Sequence, residues 1–176
     1  MKRSTGVLGL LLFVMVGCAD EKELQTEFGS AKSVREYRQL VEDVIVEANA
    51  IEREARDRAV GSTGQASGEN LSPVYRQLRP RVVALIAKME SIESPKKLSD
   101  MHADVLAALG LRLAAYDLVI EGWQIEHQQT FEDAQPLYID AAKKLNEGTG
   151  ILLQVNEVLL EVDIALAEAE GRTLLS

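Results

Sequence analysis

Four stretches of this chain space their apolar residues alternately three and four apart, the repeat of a helix with one buried face. No stretch alternates apolar with polar residues at the period of two that a half-buried strand requires. In the first stretch Val34, Tyr37, Val41, Val44, Ala48, Ile51 and Ala55 form the seam, with Leu40 and Ile45 widening it, which predicts a helix over about 31–60. Tyr75, Leu78, Val82, Leu85, Met89 and Ile92 predict a second over about 73–93. Leu98, His102, Val105, Leu109, Leu113, Tyr116, Ile120, Trp123 and His127 predict a third over about 97–128. The fourth is the longest, about 131–170, on Phe131, Ala134, Tyr138, Ala141, Leu145, Gly148, Leu152, Val155, Leu159, Val162 and Leu166.

The breaks between these seams are chemically distinct. Residues 61–70 are rich in glycine and serine and lack apolar periodicity, so they read as a flexible connection. Ser72-Pro73 offers a cap with proline in the first turn, and Ser94-Pro95 repeats the signal. Thr130 to Asp133 resembles a capping box, Pro136 delays the regular start of the last helix, and Gly171 is its expected stop. Pro80 removes one backbone bond inside the second helix, where a kink or a split is expected. Gly148 and Gly150 fall mid-helix at a cost of ~1 kcal/mol each relative to alanine, which points to close approach of a neighbour at Gly148. Asn156 and Asp163, beside the seam, are candidates for fixing register. The expected fold is all-α: an elongated up-down-up-down four-helix bundle, one domain over 31–176.

The N-terminus carries a different signal. Lys2 and Arg3 precede an apolar run of 11 residues, Gly6–Val16, shorter than the ~20 needed to span a bilayer as a helix. Met15-Val16-Gly17-Cys18 resembles the lipobox of bacterial lipoproteins. That resemblance implies a signal peptide over 1–17, lipid on the Cys18 thiol, and a polar tether over 18–30. Cys18 is the only cysteine, so no intramolecular disulfide competes for it. Ala19, rather than Asp, follows the cysteine, which by the same resemblance favours the outer membrane in a Gram-negative cell. The general proportions also resemble uncharacterised bundle-forming bacterial lipoproteins, a likeness that transfers no site.

Charge narrows the partners. The full chain carries −9; residues 1–17 hold Lys2, Arg3 and no acid, so the remainder has 17 basic and 28 acidic residues, a net charge of −11. Such a surface disfavours nucleic acid and direct docking on anionic lipid, since both require cations against phosphate. Membrane attachment is therefore expected through the lipid anchor alone, with a protein partner or a small ligand left open.

No catalytic or metal constellation is expected. His102 and His127 stand 25 residues apart on one helix, ~37 Å at 1.5 Å per residue, too far to share an ion. A haem or metal bundle, with Met89 or Met101 opposite His102, is the weakest reading, and no cofactor beyond the lipid is expected. There is no Gly-x-Ser-x-Gly elbow and no phosphate-binding glycine loop, so the chain reads as non-enzymatic. The topology gathers Tyr75, Tyr116, Trp123, Phe131 and Tyr138, with His127, at the end away from the anchor. That is the one candidate ligand pocket. The expected role is structural or partner-binding, with a small-ligand carrier or sensor as the alternative.

Overall fold

A computed structural model describes residues 24–59 and 67–171. Cys18, its lipobox and most of the glycine-rich 61–70 connection lie outside the described residues. Four helices, α1 Ala31–Ala59, α2 Gly68–Glu90, α3 Ser99–Gln128 and α4 Phe131–Ala169, alternate in direction and pack around one core. The fold is the expected all-α four-helix bundle. The 39 residues of α4 make it ~58 Å long at 1.5 Å per residue, so the bundle is a rod. No described helix is long and apolar enough to cross a membrane.

Three of the four seams match their sequence periodicity. Every predicted core position of α1 from Val34 to Ala55 is buried, as is Ile45, although Leu40 stands 40% exposed rather than widening the stripe. In α4 the seam from Ala134 to Leu166 is buried except at Tyr138 and Leu145, which are half-buried, while Phe131 is exposed. An added Cβ at Gly148 would lie 3.1 Å from the Ala108 carbonyl oxygen, so α3 and α4 approach closely enough that a side chain there would need the neighbour to give by a few tenths of an ångström. Gly171 adopts φ +66° just past the end of α4, the left-handed stop that glycine makes without steric cost.

The helix starts differ more. α2 begins at Gly68, capped by Ser67, whose Oγ accepts from the Asn70 amide at 3.3 Å; the cap expected at Ser72 is buried inside the helix instead. Pro73 and Pro80 both sit exposed within a continuous α2, so neither splits it. A 3₁₀ turn over Lys96–Leu98 precedes α3, and Thr130 caps α4 through the Asp133 amide at 3.3 Å.

The lead-in assigned to a tether is folded from Leu24 onward. Strands β1 Gln25–Thr26 and β2 Gly29–Ser30 pair as a small antiparallel hairpin, closed by the Thr26 hydroxyl donating to the Gly29 carbonyl at 2.9 Å. Gly29 takes φ +132°, which side-chain-bearing residues rarely adopt. β1 lies against α4, β2 against α1, and Phe28 packs onto the core. The seam between α1 and α4 is the loosest of the four and is tied at this hairpin end: Arg38 forks onto Asp163 with two bonds of 2.8 Å, and Arg35 pairs with Glu170. Asp163 thus links α4 to α1, whereas Asn156 is exposed on the groove.

Candidate functional site

The end opposite the hairpin holds a cleft of about 390 Å³ among the start of α2, the end of α3 and the start of α4. Leu71, Tyr75, Val119, Phe131 and Leu145 give it an apolar lining, and Glu126 is its only charged lining residue among those described. Apolar walls with few placed polar groups are the usual makeup of small-molecule sites, which span ~300–1,000 Å³.

Tyr138 organises the cleft. Its hydroxyl donates to Glu126 Oε2 at 2.7 Å, tying α4 to α3, and its ring stacks on Phe131 at 6.3 Å between centroids. Two glycines make room for it. A Cβ at Gly122 would sit 2.8 Å from the Tyr138 ring, and one at Gly68 would collide with its hydroxyl. Burial, with the Glu126 hydrogen bond as a second cause, raises the Tyr138 pKa above the ordinary tyrosine range, so the hydroxyl remains a donor.

Beneath the cleft, Tyr75 and Tyr116 stack face to face, 3.9 Å between centroids and 7° from parallel. Tyr116 is fully buried and donates to Glu52 Oε2 at 3.3 Å. Arg112 joins the same network: it donates to the Ala48 carbonyl at 2.5 Å and lies 3.7 Å from Glu52. These side chains cross the bundle from α3 to α1, and no buried polar side-chain atom among the described residues is left without a partner. Burial raises the pKa of both tyrosines, reinforced by the Glu52 charge.

The structure brings only part of the predicted set together. Tyr75 and Tyr138 line the cleft and Tyr116 supports it from below, but Trp123 and His127 do not line it. Trp123 is half-buried and tilts against an exposed His127 at 5.8 Å. The reason is a register slip in the reading of α3. Its buried residues are Met101, Val105, Ala108, Leu109, Arg112, Ala115, Tyr116, Val119 and Gly122, so after Leu109 the seam runs through Arg112, Val119 and Gly122 rather than Leu113, Ile120 and Trp123. The same stripe continues four residues on to Glu126. Gly68, Gly122 and Glu126 carried no motif; the one signal, for Gly122 and Glu126, was their spacing with Val119 on this corrected face.

At the hairpin end His102 Nδ1 shares a 3.3 Å hydrogen bond with the Tyr37 hydroxyl, and burial lowers the His102 pKa. Met89 and Met101 are buried core residues. Among the described residues no three His, Cys, Asp or Glu side chains are grouped to hold a metal ion. Comparison with protein-family models, curated proteins and solved structures finds no match to this chain.

A second concave surface follows the α1–α4 seam. Two hollows of about 410 and 390 Å³ share Val46 and Asn49; the first is floored by Ile45 and Leu159, the second by Arg112. On the α4 side Leu153, Leu160 and Ile164 stand exposed on one helical face, at spacings of seven and four. Arg53 and Arg56 line the groove at the cleft end.

Proposed function

We propose that this chain is exported to a bacterial envelope, held on a membrane by lipid on Cys18, and works without catalysing a reaction by seating an amphipathic helix of a partner protein along the α1–α4 groove. The observation that supports partner binding is the exposed apolar row Leu153, Leu160 and Ile164 on α4, of which Leu160 lines the groove with Val46 across the loosest seam of the rod. Contiguous exposed apolar surface on an otherwise charged protein marks an interaction face. Charge defines the occupant: in a chain of net charge −9, one end of this groove carries Arg53 and Arg56, while Arg112 and Glu52 beneath them pair with each other. A helix with apolar residues at i, i+3, i+4 and i+7 and carboxylates at the matching end complements it.

A photo-crosslinking residue at Leu160, in living cells, is expected to give one discrete adduct that Arg53→Glu with Arg56→Glu removes. Adducts of equal yield from exposed Ala87 on α2, or adducts indifferent to the charge reversal, overturn the reading. Anchoring is tested separately: Cys18→Ala should abolish labelled-palmitate incorporation.

The cleft supports a second reading, a carrier or sensor of a small ligand. It rests on the apolar hollow that Tyr138, Gly68 and Gly122 build, which neither the partner groove nor core packing requires.

A further inference from the structure

We infer that the cleft binds an organic ammonium compound, its aromatic or aliphatic body on Leu71, Tyr75, Val119 and Leu145 and its cation against Glu126. The inference rests on the carrier reading and names the ligand's chemistry. Glu126 is the only charged residue lining a largely apolar hollow among the described residues, and no described basic side chain pairs with it. Its Oε2 accepts from Tyr138, and no described residue hydrogen-bonds its other oxygen. The first turn of α2 lies alongside, since a Cβ at Gly68 would be 3.2 Å from Oε2, and an anion beside a helix N-terminus is favourably placed.

Two aromatic rings complete the complement. Phe131 and Tyr138 stack beside the carboxylate, and Phe131 is 50% exposed at the mouth. An ammonium seated there meets a carboxylate and the negative faces of the rings, an arrangement that discriminates cations from neutral isosteres. An anionic ligand would meet Glu126 without a compensating cation. The Tyr138 hydroxyl, committed to Glu126, holds the carboxylate toward the cleft.

The test is titration of the full-length protein with phenethylammonium, 2-phenylethanol and 3-phenylpropanoate, read by calorimetry and by amide shifts at Gly68, Val119 and Gly122. Phenethylammonium is expected to bind at least tenfold more tightly than the alcohol, and the carboxylate weakest. Glu126→Gln, which still accepts from Tyr138, should erase the tenfold preference while the alcohol binds as before. Glu161→Gln, an equal loss of charge on exposed α4 surface, should change nothing. Equal binding of all three probes overturns ammonium recognition but leaves the carrier reading standing; no binding of any probe overturns both. A preference that survives Glu126→Gln, or that Glu161→Gln weakens equally, reduces it to the general attraction of an acidic protein and overturns the site.

Discussion

At the hairpin end, Met89, Leu98 and Met101 are buried, Leu98 at the end of a 3₁₀ turn; at the cleft end, half-buried Tyr138 is wedged between two glycines and Phe131 lies open to water. Both ends belong to one bundle with one core, so the difference is not one of fold. The hairpin end is held by large buried apolar residues inside and by ion pairs across α1 and α4, and its hollow of about 680 Å³ lies outside that core, between the start of α1 and the end of α2. The cleft end is held by shape, through glycines that a ring requires, and by a single hydrogen bond to a lone carboxylate. A core filled by large side chains tolerates no loss of volume, whereas a ring seated on glycines tolerates no gain.

That contrast can be broken directly. Leu98→Ala and Met89→Ala should each cost about 2–5 kcal/mol in urea unfolding, while Phe131→Ala changes stability by less than about 0.5 kcal/mol. Comparable losses at both ends would erase the distinction. Gly122→Ala should destabilise by about 1–3 kcal/mol because the ring of Tyr138 must move. In a Tyr138→Ala background the same change should instead gain up to ~1 kcal/mol, the ordinary helix preference for alanine over glycine. A cost that persists without the ring would show that Gly122 answers to something other than Tyr138.

Acid sharpens the comparison from the hairpin side. Burial holds the folded-state pKa of His102 below its unfolded value of ~6.5, so the neutral ring is the one the fold favours. Its contribution is present above ~6.5 and is lost as pH falls through the folded value, at no more than ~1.4 kcal/mol per pH unit for one proton. His102→Gln should flatten that part of the stability–pH curve, and an unchanged slope assigns it to the carboxylates. The smallest effect is expected at Asp163→Asn: the pair with Arg38 is partly exposed, so thermal unfolding should register a loss of only ~0.2–1 kcal/mol.

Most of the fold was legible because α1, α2 and α4 each present one apolar stripe against polar surroundings. α3 was not, for a physical reason. It packs on α2 and α4, reaches α1 through long side chains, and is apolar over so much of its circumference that neighbouring tracks fit equally well. The track through Leu113, Ile120 and Trp123 and the track through Arg112, Val119 and Gly122 differ by one residue, and only packing chooses between them. Arginine and glycine on an inner face look like errors until Ala48 and Tyr138 are seen to need them. Tyr75 and Tyr138 were legible as cleft residues from topology alone. Glu126 was not, because one acid among many on a helix surface acquires meaning only when three helices leave it facing a hollow.

The small hairpin also decides how the rod bears tension. One of its strands rests on α4 and the other on α1, and the Ala31 amide donates to the Leu24 carbonyl at 2.8 Å where the chain passes into the first helix. A pull arriving from the N-terminal side is therefore shared between the two neighbouring helices that are least packed against each other, and it meets the Arg35–Glu170 pair and then the Arg38–Asp163 pair at the base of the groove. Load enters as shear across a cross-braced joint rather than as a peel of α1 alone, so the open seam above it can keep its shape while its base is under strain.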